Sequence, residues 1–167
     1  MSIAAQISPS AFANDAFRMA LTYKQAGNLT EEVKLYRVAA EQGHPGAKNE
    51  LGVCLMNAPD KDVHEAEARK LFGEAASADN KAAMYNFAVM CREGQGGPVN
   101  HSAFLEWCTR SASYGNVLAH QSLGEYYMKY GRNQHDRLLA VHHLSYALAK
   151  DSSQSSDALS VAISNLR

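Results

Sequence analysis

The chain has 167 residues, 46% of them apolar and 20% charged, so it is long enough to bury a core and too apolar for wholesale disorder. Sixteen Lys and Arg stand against seventeen Asp and Glu, a formal charge of -1, and the basic residues are scattered; a nucleic-acid partner, whose phosphates call for a basic stripe, is not expected. No apolar run nears the roughly 20 residues that cross a bilayer, and Met1 to Ala13 has neither a basic start nor a long apolar stretch. No membrane insertion and a cytoplasmic location are therefore expected, although a chain trimmed of a signal peptide, and hence periplasmic or secreted, would look the same.

Residues 1–14 read as an N-terminal extension. A first helix, placed by Asp15, Met19, Ala20 and Tyr23, ends at the breakers Gly27-Asn28. A second carries Leu35-Tyr36 and Ala39-Ala40 and stops at Gly43, where a left-handed capping residue is wanted. Ala47-x-x-x-Leu51-Gly52 then opens a third helix, closed by Asn57-Ala58-Pro59-Asp60. Leu71-Phe72 with Ala75-Ala76 mark a fourth, ended by Asp79-Asn80. Both signals return 36 residues on, as Ala83-x-x-x-Phe87-Ala88 and, beyond the turn Gly94-Gln95-Gly96-Gly97-Pro98, as Trp107-Cys108 with Ser111-Ala112 before Gly115. They return once more as Ala119-x-x-x-Leu123-Gly124 and, after Gly131-Arg132-Asn133, as His143-Leu144 with Ala147-Leu148. Two ladders in phase define a repeat of two helices, A and B, with small residues where backbones approach and large apolar ones between. The first A helix fits this register only if its connecting loop is about four residues shorter, and irregular terminal units are common. Leu159 and Ile163 extend the A-helix ladder, so residues 152–167 read as a helix that covers the last apolar face of the repeats at 15–151.

The run Leu35 to Gly43 leading into Ala47 and Leu51-Gly52, together with Gly94-Gln95-Gly96, resembles the Sel-1-like repeat, a relative of the tetratricopeptide repeat. The resemblance implies an all-α fold: a right-handed α/α superhelical solenoid of about four 36-residue helix-turn-helix repeats plus a C-terminal capping helix. It further implies a protein–protein interaction module that binds a protein partner in a groove lined by the A helices. A bacterial adaptor in a larger assembly and an immunity-type protein that neutralises a toxin both fit. The alternative is a beta-lactam-binding or hydrolysing enzyme of the cysteine-rich branch of that family, in which a Cys within the Ala-Ala step bridges to another eight residues on. Cys54, Cys91 and Cys108 fall on neither position, which disfavours that reading.

Other chemistry finds little support in the residues. Three cysteines without CxxC spacing indicate free thiols rather than zinc or a disulfide framework. Seven histidines show neither His-x-x-x-His beside a carboxylate nor HExxH, and His44, His64, His101 and His135 fall in turns or helix starts and read as solvated. Gly94-Gln95-Gly96-Gly97 lacks the following Lys-Ser or Lys-Thr of a phosphate loop. No catalytic residue, metal or cofactor is expected. The candidate partner-binding residues are the A-helix positions that the repeat does not use for packing. In the first two repeats these are Phe17 and Arg18, then Asn49, Glu50 and Val53. In the third they are Tyr85, Asn86, Val89 and Met90, and in the fourth Gln121, Glu125, Tyr126 and Lys129. Amphipathic rings beside specific polar groups make a protein-binding composition, with Tyr85, Asn86, Glu125 and Tyr126 expected at the centre and Arg18 and Lys129 at the rim.

Overall fold

The computed structural model describes residues 9–150 and 156–164, and every regular element among them is an α-helix. The order is α1 (Pro9–Gln25), α2 (Leu29–Glu41), α3 (Pro45–Met56), α4 (Lys61–Ser77), α5 (Lys81–Glu93), α6 (His101–Ser113), α7 (Val117–Tyr130), α8 (Gln134–Lys150) and α9 (Ser156–Ser164). α1, α3, α5 and α7 are the A helices, and α2, α4, α6 and α8 the B helices. The chain divides into two compact units, Met1–Val99 and Asn100–Arg167. In the first, each of α1 to α4 packs on the helix that follows it; in the second, each of α6 to α8 does the same.

The 36-residue ladders are the core. On the B helices Tyr36 and Phe72 are buried in the first unit, Cys108 and Leu144 in the second, and Ala39, Ala75, Ser111 and Ala147 are buried beside them. On the A helices Ala47, Ala83 and Ala119 have no exposed surface. Small residues are required here because helix axes about 8–10 Å apart leave no room for more. A Cβ on Gly52 would meet the Phe72 ring at 2.8 Å, and one on Gly124 would meet Leu144 at 2.6 Å, so both glycines are demanded by the B helix that follows them.

Turns repeat with the same step. Gly43, Asp79 and Gly115 have positive φ and end α2, α4 and α6. The next residue in each case, His44, Asn80 or Asn116, sends its N–H back to the carbonyl of Ala39, Ala75 or Ser111, satisfying a terminal carbonyl that the helix itself cannot. The same residue caps the A helix that follows: His44 Nδ1, Asn80 Oδ1 and Asn116 Oδ1 accept from the N–H of Ala47, Ala83 and Ala119 at 3.0, 2.9 and 3.2 Å. His44 is therefore not a solvated turn residue. It is half-buried, its ring stacks on Phe17 with centroids 4.3 Å apart, and burial holds its pKa below the usual histidine range.

The first A helix differs from its sequence reading by one residue. Ala13, Ala16 and Ala20 are its buried positions, and Met19 is 52% exposed. The connection α1–α2 is thus five residues shorter than the repeat standard rather than four. α1 begins at Pro9, and residues 1–8 of the expected extension lie outside the described residues. At the other end α9 packs on α8, with Ala162 buried, Leu159 half-buried and Ile163 exposed; residues 151–155 and 165–167 lie outside the described part.

Two substitutions test this packing. Ala76 has no exposed surface, so Ala76→Glu buries an unpaired charge and should lower unfolding stability by about 3 kcal/mol or more; a parent-like melting curve would break the 36-residue alignment. Asp79 holds φ +62 where the equivalent positions carry glycine, so Asp79→Gly should raise the urea midpoint, with a gain of up to about 1 kcal/mol at unchanged m-value.

Candidate functional site

In the first unit the A helices are tied together by a polar ladder. Lys24 at the end of α1 donates to Glu50 Oε2 on α3 at 2.6 Å, Asn49 Nδ2 donates to Glu50 Oε1 at 3.0 Å, and Asn86 Nδ2 on α5 donates to Asn49 Oδ1 at 3.0 Å. The hydrogen bond to Glu50 raises the Lys24 pKa, against an opposing effect of burial. The ladder exists because Glu50 and Asn86 are one repeat apart and meet the same face of neighbouring helices. Asn49, Glu50 and Asn86 are thereby brought together as one constellation. Val53, Tyr85 and Val89 are half-buried on α3 and α5, and Arg18 is exposed on α1, 3.3 Å from Asp15.

Three residues of the expected set are placed as packing instead. Met90 is 2% exposed and belongs to the core. Asn49 is 5% exposed and its amide is spent within the ladder. Phe17 turns inward, 5.8 Å from the Tyr36 ring and stacked on His44. The single-residue shift in α1 explains Phe17, since one residue is about 100° of helix rotation. Met90 and Asn49 are buried because a helix flanked on two sides hides more than one face. Met19, by the corrected register, takes the α1 place that Glu50 holds in α3, and the sequence reading had assigned it to packing.

In the second unit Gln121 Nε2 donates to Glu125 one turn on at 2.9 Å, and Glu125 is exposed. Tyr126 is half-buried, with its ring 5.2 Å from Phe104, 5.7 Å from His101 and 4.9 Å from Tyr130. The Lys129 ammonium lies 5.1 Å from the Tyr130 centroid, within cation–π range. His101 and Tyr130 are exposed beside it, so α7 presents an aromatic patch with a cation at its edge, and Tyr126 is its packed base.

A histidine pair escaped the sequence reading. His120 Nε2 lies 3.2 Å from the Ala112 carbonyl, which can only accept, so Nε2 carries the proton and Nδ1 is an acceptor. His143 Nδ1 therefore donates to His120 Nδ1, at 2.9 Å. Tyr146 stacks on His120 at 3.8 Å and closes the cluster. Burial depresses both imidazoles, His143 to about 4, with the neighbouring histidines adding to it. Period alone could not show this, because His120 and His143 lie on different helices 23 residues apart.

Neither Cys54 nor Cys91 is an activated thiol. Burial first, then the charge and hydrogen bond of Glu32, pushes Cys54 up to about 11, and burial raises Cys91 against the opposing pull of Arg69. Arg69 also donates to the carbonyls of Gln95 and Pro98 at 3.1 and 3.0 Å, and Glu65 accepts from the Gly96 N–H at 3.1 Å. Together they hold the glycine-rich third turn flat on α4. Gly96 is indispensable to that contact, because its φ is +65 and a Cβ would lie 2.2 Å from the Glu65 carbonyl oxygen. Among the described residues no group of three or more His, Cys, Asp or Glu is placed to hold a metal ion, and no helix is long and apolar enough to cross a membrane.

No protein-family model matches the chain, and no curated protein matches it by sequence. Solved structures do. A protective antigen present in uropathogenic Escherichia coli strains, which displays an SLR fold, is 27% identical with a TM-score of 0.79 over 92% of this chain and 34% of its own. A Sel1 repeat protein from Oxalobacter formigenes is 22% identical with a TM-score of 0.74 over 97% of this chain and 66% of its own. The chain thus spans about a third of the first structure's length and just under two thirds of the second's.

The histidine pair makes stability depend on pH in a defined window. Unfolded histidines take up protons near pH 6.5, whereas folded His143 resists until about pH 4. The unfolded state therefore binds more protons between these values, and the stability present above pH 6.5 is lost as pH falls through the window. Melting temperature should drop by a few degrees between pH 7 and 5, on the order expected for losing about 1 kcal/mol. His143→Gln should flatten that slope, and a slope equal to the parent's would remove the pair as its cause.

Proposed function

We propose that this chain, a relative of the Sel1-like repeat proteins with their all-helical SLR fold, is a protein–protein interaction module that holds a protein partner against the A-helix face of its first unit. The observation that carries the reading is the ladder Lys24–Glu50–Asn49–Asn86. It fixes polar groups in place across three helices and leaves Tyr85, Val53 and Val89 half-exposed around them. Pre-ordered polar groups beside an amphipathic ring lower the entropy cost of docking, and a half-buried tyrosine is a favoured anchor. Arg18 supplies an exposed charge, which acts on association rate more than on affinity. The aromatic patch of α7, with Glu125 and Lys129, is a second contact surface of the same kind in the other unit.

Fold regularity supports this class of function. The packing positions are consumed by the repeat, and what varies along the A helices is free to fit a partner. We place the chain as an adaptor within an assembly or as an immunity protein that blocks a toxin. The second role makes a distinct demand: the captured partner should arrest growth when produced alone, and this chain should restore it.

A benzophenone photocrosslinker replacing Tyr85 should give one protein adduct in lysate of the source organism. The same probe replacing Lys34, exposed on α2, should give none. With the partner in hand, Tyr85→Ala should weaken binding roughly tenfold or more, as loss of a central anchor does. Adducts from position 34 and none from position 85 would move the working surface to the B helices.

A further inference from the structure

Glu32 on α2 breaks the pattern of the core. The positions one, two and three repeats on are Ala68, Phe104 and Ala140, all buried; Glu32 is equally buried, at 6% exposure, but is an acid. Its carboxylate meets the Cys54 thiol, with Sγ donating at 3.7 Å, and a thiol is a weak donor. A buried carboxylate held so lightly is costly unless something further pairs with it.

The space beside it is equally out of pattern. A pocket of about 540 Å³ opens between α2, α3 and the turn before α4, with Glu32 and Cys54 in its wall and Leu29, Val33, Val53 and Pro59 forming apolar sides. One repeat on from Leu29 and Val33 stand Glu65 and Arg69, the two residues that hold the glycine-rich third turn down on α4. Around Leu29 and Val33 the turn is the shorter Asn57–Asp60 segment, neither clamp is present, and the equivalent room stays open. Its volume is that of an ordinary small-ligand site.

Charge decides what would fill it. The basic groups in the lining already have partners: Lys24 lies 2.6 Å from Glu50, Arg37 2.6 Å from Glu67, and His64 3.4 Å from Asp60. Lys24 feels the charge of Glu32, yet its ammonium is bound to Glu50. Glu32 is left as the lining charge without an ion partner among the described residues. We propose that this pocket is a binding site for a cationic group on an apolar stem, an alkylguanidinium or alkylammonium, whose charge meets Glu32 while its stem packs on Leu29, Val33 and Val53. Such a group exists as a free small molecule and as an arginine or lysine side chain.

Pentylguanidinium is the probe, with the uncharged isostere pentylurea and anionic hexanoate as comparators, followed by amide chemical shifts of the intact chain. Saturable shifts at Glu32, Val33 and Cys54 are expected, at least tenfold tighter for the guanidinium than for the urea, and Glu32→Gln should erase that preference. Should Glu32→Gln fail to fold, Ala58→Trp fills the pocket while leaving the acid in place, and it should abolish the shifts in a well-dispersed spectrum. A capped Gly-Arg-Gly peptide run in parallel distinguishes the two sources: tighter binding than pentylguanidinium marks a side-chain guest, weaker binding a free molecule. Equal affinity for pentylurea, a preference unchanged in folded Glu32→Gln, or binding unchanged in Ala58→Trp would overturn the assignment.

Discussion

Close approach between successive helices is the constraint on which the rest of this structure depends. It is met by alanine, serine or glycine at fixed places: Ala39, Ala75, Ser111 and Ala147 on the B helices, Ala47, Ala83 and Ala119 on the A helices, and Gly52 and Gly124 under the rings or branches that follow them. Because these residues contribute little buried area of their own, the large side chains between them, Tyr36, Phe72, Phe104 and Leu144 among others, must supply most of the apolar burial. The turns obey the same spacing. One residue, His44, Asn80 or Asn116, ends one helix with its backbone N–H and starts the next with its side chain, so the angle between B and A helices is set by a single cap.

Regular packing leaves a limited number of places where chemistry can differ from repeat to repeat, and each is used. The long turn after α5 is clamped onto α4 by Glu65 and Arg69; one repeat earlier the clamp residues are Leu29 and Val33, and the space is a pocket. On the A helices, Glu50 and Asn86 occupy one repeat position and bond through Asn49, an arrangement that strict repetition of either residue would not give. In the second unit, His143 replaces the bulky apolar residue of the same ladder position and finds His120 instead.

Two of these departures share a physical character. His143 and Glu32 each place a titratable group where the equivalent residues of other repeats are apolar, and each costs desolvation that the local partner only partly offsets. For the histidine pair the partner is internal and the cost appears as depressed pKa values. At Glu32 the partner inside the fold is a thiol, and the imbalance faces a pocket. Along the Asn49–Asn86 ladder the groups satisfy one another, giving a rigid surface around Tyr85.

The amino-acid sequence by itself determined the helical class, the 36-residue period, the small-residue ladders and the positive-φ turns at Gly43 and Gly115, because these follow from local periodicity and from what each helix must bury against its neighbour in the chain. It also indicated Glu50 and Asn86 as polar A-helix positions. Tertiary structure alone decided the register of α1, where an alanine-rich helix reads equally well one residue either way until Tyr36 and His44 select Phe17 as the inward ring. It alone placed Met90 and Asn49 inside, paired His120 with His143, and made Glu32 a buried acid beside open space. The reason is common to all four: period reports which side of a helix is covered, whereas hydrogen bonds and cavities depend on the axial offset between helices and on side-chain rotamers, and neither is written in local spacing.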